Sequence, residues 1–181
     1  TIWRQVRRYN VPRIVFVNKM DRSGADFEHA VETMAQKLGI LATPIVLPIG
    51  AEDAFAGIVD LIEMRAFVWN NSATGDFEAV PIPPELADNA EIARLQMLEN
   101  LAECSDEILE CVLEEKNPSP DCIRAAIRKA VGECKFVPVL AGTALRNLAI
   151  QPLLDAIVDF LPSPAELPPA VCVHPKTGDE I

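Results

Sequence analysis

No hydrophobic run in the 181 residues approaches the ~20 residues that a helix needs to cross a bilayer, and no signal-peptide pattern opens the chain. A membrane partner is therefore not expected. The five cysteines, Cys104, Cys111, Cys122, Cys134 and Cys172, form no Cys-x-x-Cys pair, so neither a structural zinc site nor a disulfide framework is indicated. They read as small buried or half-buried side chains of a reducing compartment, the cytoplasm or an organellar matrix. His29 falls on the polar side of a helical pattern with no partner cluster, which gives it no catalytic role. Basic residues are nearly missing from one long stretch. From Glu85 to Glu115 there are ten acids against Arg94 alone, within a chain of net charge −11. Such a surface does not grip a phosphate backbone directly. It suits a basic protein partner, or it is simply a solvated face. From Thr1 to Arg22 the balance reverses, with six basic residues to one acid.

What is present is organised around Arg13-Ile14-Val15-Phe16-Val17-Asn18-Lys19-Met20-Asp21. The unbroken apolar run Ile14 to Val17 reads as a strand buried on both faces, as in a parallel sheet. It ends abruptly in polar residues, and open α/β sheets bind ligands beyond the carboxyl ends of their strands. The Asp21 carboxylate can accept two parallel hydrogen bonds from a planar donor pair such as the N1–H and exocyclic amine of guanine. Asn18 can bridge donor and acceptor groups, and the Lys19 stem can lie over a flat ring. Adenine offers the carboxylate no matching pair and would leave it unpaired. Asn18-Lys19-Met20-Asp21 resembles the N-K-x-D guanine-specificity motif of translational GTPases. A strand end with a polar turn is the plainer alternative.

The chain opens in mid-element, with Ile2, Trp3, Val6 and Tyr9 at helical spacing and Pro12 closing that helix. It reads as a piece of a longer domain. After the motif, Ser23-Gly24-Ala25 makes a turn and Asp26 caps a helix. That helix turns Phe27, Ala30, Val31, Met34 and Leu38 to one face and stops at Gly39. Four strand-like runs follow: Thr43–Ile49, Ala56–Ile62, Met64–Trp69 and Phe77–Pro81, with turns or bulges at Gly50, Gly57 and Asn70–Gly75. With no helix between them they imply a mostly antiparallel sheet. Three helices come next. The first, from Pro84, carries Leu86, Ala90, Ala93, Met97 and Leu101 inward. The second, capped by Ser105, buries Ile108, Leu109, Val112 and Leu113. The third, opened by Ser119-Pro120 and ended by Gly132, buries Ile123, Ala126, Ile127 and Ala130. Phe136–Leu140 restores the buried-strand texture. Pro138, which cannot donate to a ladder, marks it as an edge strand. The strand runs into Ala141-Gly142-Thr143-Ala144-Leu145. A helix with Leu153, Ile157, Phe160 and Leu161 inward follows. The prolines from Pro162 to Pro169 make a stiff linker, and Val171-Cys172-Val173 reads as the start of a further strand.

A β-α segment, an α+β block and a second β-α segment are most simply an insertion into a doubly wound domain. The two flanks then meet as neighbouring parallel strands, which puts the Gly142 loop beside Asn18 and Asp21. Small residues in that loop let backbone N–H groups approach a base closely.

Over nearly its whole length the chain resembles the elongation factor G family of translational GTPases, ribosomal translocases. The resemblance rests on Asn18-Lys19-Met20-Asp21 with Gly24-Ala25-Asp26, and on Leu47-Pro48-Ile49-Gly50 with Gly57-Ile58-Val59-Asp60. Lys135-Phe136-Val137-Pro138-Val139, Gln151-Pro152-Leu153-Leu154-Asp155-Ala156 and Phe160-Leu161-Pro162-Ser163-Pro164 complete it. It implies an α/β fold: an incomplete doubly wound P-loop-type GTPase domain with an inserted α+β subdomain of antiparallel sheet plus helices. It further implies a division into 1–38 and 135–161 for the GTPase domain, 39–134 for the insertion, and 162–181 for a linker and the start of a next domain. The implied ligand is GTP or GDP, held through Asn18, Lys19, Met20 and Asp21 together with Gly142, Thr143, Ala144 and Leu145. In these roles Asp21 binds the guanine N1 and N2 donors, Asn18 orients the base edge, and Lys19 packs over ring and sugar. The Ala144 N–H meets O6 and Leu145 packs beside the base. Thr143 stands where the family usually has Ser. Asn147-Leu148-Ala149 replaces the family's Asn-Lys-Gly and loses a contact that its Lys would make.

The sequence holds no G-x-x-x-x-G-K-[ST] loop and no switch threonine for Mg²⁺, and its one D-x-x-G string, Asp21 to Gly24, overlaps the N-K-x-D motif and does not read as a switch. The resemblance puts those parts upstream in a parent protein. Hydrolysis and the Mg²⁺ ligands therefore belong to the parent, and no catalytic or metal-binding residue is assigned here. The implied partners are the ribosome, ribosomal RNA through the parent, and the ribosomal stalk protein through the acidic helix of Glu91, Glu99 and Glu103. A recycling paralogue, a ribosomal protection protein, a release-factor GTPase and a non-enzymatic ribosome-binding module that kept the fold remain the alternatives.

Overall fold

The computed structural model describes residues 2–69 and 75–166. The expected strand at Val171–Val173, the linker beyond Glu166 and most of the Asn70–Gly75 turn lie outside those residues. Two sheets share one continuous apolar core. The first is parallel and contains β1 (Val15–Val17), β7 (Val137–Ala141) and β2 (Ala42–Pro44), in the order β1-β7-β2. All five residues of β7 are buried, as a strand covered on both faces requires. Ahead of β1 runs α1 (Ile2–Arg8), with the Arg13 guanidinium 4.7 Å above the Trp3 ring.

The proline in β7 does not mark an edge. Pro138 lies in the middle strand, paired with Thr43 on the β2 side. Val139 accepts a hydrogen bond from the Ile45 N–H at 3.0 Å, so its polar groups face β2 and those of Pro138 face β1. The first paired residue of β1 is Val15, opposite Val139. The missing N–H thus falls one position before that ladder begins, where no bond is lost.

The run Thr43–Ile49 is also not one strand. Ile45 divides it: its N–H donates to Val139 O in the parallel sheet, and its carbonyl accepts the Leu61 N–H at 3.1 Å from the other sheet. Beyond this residue β3 (Val46–Ile49), β4 (Gly57–Asp60), β5 (Arg65–Trp69) and β6 (Phe77–Val80) form the antiparallel meander that the closely spaced runs imply. Asp60 closes the β4–β5 turn by accepting the Ile62 and Glu63 N–H groups at 2.7 and 3.0 Å. Burial pushes its carboxyl pKa above the usual range, against the pull of those two amides and of Arg124.

Four longer helices cover the sheets. In α2 (Phe27–Leu38), Asp26 accepts the His29 N–H at 2.9 Å and Gly39 closes the end in the left-handed conformation. In α3 (Pro84–Ala102), Ala90, Met97 and Leu101 are fully buried. Between them lies Arg94, which donates to the carbonyls of Leu61 and Ile62 and, at 2.9 Å, to Asn117 Oδ1. A buried cation is tolerated because each of those bonds supplies an acceptor. In α5 (Pro120–Gly132), Ser119 Oγ accepts the Cys122 N–H and Pro120 sits in the first turn. Its Arg128 donates to the Val158 and Asp159 carbonyls at the end of α6 (Ile150–Phe160) and pairs with both Glu166 oxygens at 2.8 Å. The short α4 (Asp106–Leu113) buries Ile108, but Leu109 and Leu113 are 40% and 74% exposed. Ile157 of α6 is likewise 41% exposed, so the expectation of an inward side chain fails at all three. α4 and α6 thus meet the core along stripes narrower than their apolar patterns.

Candidate functional site

β1 and β7 run parallel with Val17 opposite Ala141, so Asn18 and Gly142 leave the sheet at the same end. The two segments are then laced together. Gly142 N–H donates to Val17 O at 3.0 Å, and Met20 N–H donates to Gly142 O at 3.2 Å. The Asn18 side chain completes the join, its Oδ1 accepting the Lys19 N–H at 2.8 Å and the Ala144 N–H at 3.0 Å. Asn18 and Ala144 are 126 residues apart in the chain. Lys19 takes φ +67°, a left-handed turn that carries the chain sharply off the strand.

Gly142 has to be glycine. A β-carbon there would stand 2.8 Å from both Leu148 O and the ring of Phe16. The loop beyond it closes on itself: Thr143 and Leu148 exchange N–H···O bonds, both 3.1 Å, and Asn147 N–H donates to Ala144 O. Thr143 is consequently buried, while Ala144 and Leu145 form the exposed tip, Leu145 at 90%. Ala149, where the resemblance has glycine, takes φ +61°, a conformation that costs a non-glycine residue about 1 kcal/mol.

The eight sequence-predicted residues therefore fall into two groups. Asn18, Lys19, Ala144 and Leu145 are exposed and Asp21 is half-buried, all at one end of the β1–β7 pair. Met20, Gly142 and Thr143 are buried, so they shape the loops from beneath. Met20 in particular is a core side chain that anchors the turn. The Ala144 N–H, expected at a base oxygen, is donated to Asn18 in this structure. The surface so formed combines a carboxylate acceptor at Asp21, the Asn18 side-chain amide donors and a lysine stem, which is the donor and acceptor set that a guanine edge requires.

Glu52 was not legible in the sequence. It begins a single 3-10 turn (Glu52–Ala54) after β3, with φ +55°. Its N–H donates to Met20 O at 3.0 Å and its Oε1 accepts the Gly24 N–H at 2.6 Å. Twenty-eight positions separate Glu52 from Gly24, and no periodicity signals such a contact. Arg94 was missed for a similar reason, since a lone arginine in an acidic stretch looks solvated.

The pattern of the family described as elongation factor Tu GTP binding domain matches residues 1–163. Elongation factor G of Fervidobacterium nodosum is 50% identical over 181 residues, which is the whole of this chain and 26% of that protein. A solved structure from Thermus thermophilus superimposes with a TM-score of 0.78 at 29% identity, over 91% of this chain and 24% of that one. The chain thus spans about a quarter of the length of each of these relatives. The parallel sheet with its flanking helices is part of a P-loop GTPase fold, and the antiparallel sheet fits an inserted subdomain. With 163 of its residues inside the family pattern, the chain belongs to the elongation factor Tu GTP-binding domain family.

Proposed function

We propose that this chain supplies the guanine-recognition part of a translational GTPase of the elongation factor G type, which couples GTP hydrolysis to movement of tRNA and mRNA on the ribosome. The observation that carries the reading is the bond from the Ala144 N–H to Asn18 Oδ1, which joins the two predicted loops into one surface. In this reading Asp21 accepts the guanine N1–H and exocyclic amine, Asn18 donates from Nδ2 to the base edge, and Lys19 covers the ring. Leu145 closes over the base from its exposed position. The Ala144 N–H is shared between Asn18 and the guanine O6 as a three-centre bond. GTP and GDP are the ligands. Phosphate binding, Mg²⁺ coordination and hydrolysis depend on parts of the whole protein that this sequence does not contain, so the chain alone binds nucleotide weakly and is inactive.

The division of the chain follows: 1–38 and 135–161 as GTPase domain, 39–134 as insertion, 162–181 as linker and the start of a next domain. The insertion contacts the ribosomal stalk. Glu91, Glu99 and Glu115 line a cleft of about 450 Å³ together with Leu95, Leu98 and Val112 and with two basic residues, Arg94 and Lys116. The acidic balance of 85–115 around this cleft, ten acids to Arg94, suits a basic, mobile protein domain drawn in by electrostatic steering. The protein acts in the cytoplasm, on the ribosome and its RNA. Among the described residues no helix is long and apolar enough to cross a membrane.

The test is Asp21→Asn in the full-length protein, titrated with labelled GDP. Loss of a charged acceptor facing two donors should weaken binding about a hundredfold and erase the preference over adenine nucleotides. Undiminished, selective GDP binding by that variant contradicts the reading.

A further inference from the structure

We infer that Glu52, which lies in the proposed insertion, is a positioning residue for the guanine-recognition turn. Its backbone N–H and its carboxylate hold that turn from both sides of Asp21, so Glu52 sets where the Asp21 carboxylate meets the base. The inference rests on the guanine reading above and adds a residue that the N-K-x-D pattern does not contain.

The turn runs from Asn18 to Gly24, and its fixed points are few. Asn18 is tied to the Gly142 loop through Ala144, and the Met20 N–H is tied to Gly142 O. Beyond the Met20 N–H, the long-range bonds on this turn among the described residues both come from Glu52: its N–H to Met20 O at 3.0 Å and its Oε1 from the Gly24 N–H at 2.6 Å. Asp21 is the residue immediately after the first contact and three before the second. An unbraced turn would let the carboxylate sample orientations, and a base site loses discrimination when its acceptor drifts by a fraction of an ångström.

The backbone of Glu52 is held in a costly conformation to make these contacts. It takes φ +55°, where a side chain is disfavoured and glycine would be comfortable. Two residues earlier, Gly50 takes φ +74°, and a β-carbon there would stand 2.1 Å from Ala54 O. The loop is therefore wound tightly enough that only glycine fits at Gly50, and that winding delivers both the N–H and the carboxylate of Glu52 to the turn. Retaining a carboxylate at a left-handed position has a clear use here, because the Gly24 amide gains a charge-assisted acceptor. Glu52 also lies three residues past the end of β3, the first strand of the antiparallel sheet, so the insertion is mechanically joined to the base site.

The experiment titrates the full-length protein with GDP and with inosine diphosphate, whose base lacks the exocyclic amine that donates to Asp21, by displacement of labelled GDP. Wild type should favour GDP. Glu52→Ala and Glu52→Asp, neither of which reaches Gly24, should each reduce the GDP-over-inosine preference about tenfold, the size of one charge-assisted hydrogen bond. Glu52→Gln keeps an acceptor oxygen and should stay within about twofold of wild type. A purely structural role for Glu52 would lower both affinities together and leave their ratio unchanged, which overturns the inference. Asp21→Asn serves as the control. If it abolishes the preference while Glu52→Asp leaves it intact, the Glu52 role fails and the guanine reading stands. If Asp21→Asn itself leaves the preference intact, the guanine reading fails and the Glu52 role with it.

Discussion

Gly142 shows how much of the site is fixed by single residues. It follows the last residue of β7, donates to Val17 O, accepts from Met20 and has Phe16 and Leu148 pressed where a side chain would be. Gly142→Ala should therefore cost about 1 to 3 kcal/mol from overpacking, read as a lower urea midpoint. An unchanged midpoint would mean that the two loops are less closely joined than described. At this scale the sequence was informative where chemistry is unusual. An Asn, a Lys and an Asp at the end of an apolar run are visible without coordinates. The partner of the Ala144 amide was not visible, because which acceptor a loop N–H meets depends on the path of a second segment 126 residues away. Glu52 was hidden likewise, its two contacts being set by a tight turn rather than by any pattern.

At the scale of elements, capping separates two helices that look alike in sequence. Ser119 accepts the Cys122 N–H at the start of α5, whereas Ser105 makes no side-chain capping bond at the start of α4. Ser119→Ala should cost about 1 kcal/mol in chemical denaturation and Ser105→Ala less than half of that. Equal losses would contradict the assignment of the α5 cap. The elements read correctly from sequence were those with strong local signals: the Asp26 cap and Gly39 stop of α2, Ser119-Pro120 at α5, and the antiparallel meander that closely spaced apolar runs imply. The misreadings each came from tertiary context. Pro138 is tolerated in a central strand because the ladder it would break starts one residue later. The run from Thr43 to Ile49 is continuous in pattern but is shared between two sheets at Ile45. Leu109, Leu113 and Ile157 have the right spacing for burial, yet no neighbour among the described residues covers them fully.

At the scale of the whole molecule, the parallel sheet is assembled from strands far apart in sequence, with the antiparallel sheet and three helices between β2 and β7. Because both sheets share one core, the intervening block braces the β1–β7 pair, and Glu52 extends that bracing to the motif turn. The central claim is that the ends of β1 and β7 form a single base-binding surface. Its most direct test is an amide-resolved NMR titration of the chain with GDP and, separately, ADP. The account predicts that GDP shifts the amides of Lys19, Asp21, Ala144 and Leu145 together along one saturation curve, and that ADP leaves them in place. Shifts confined to one of the two loops, or equal responses to GDP and ADP, would contradict it.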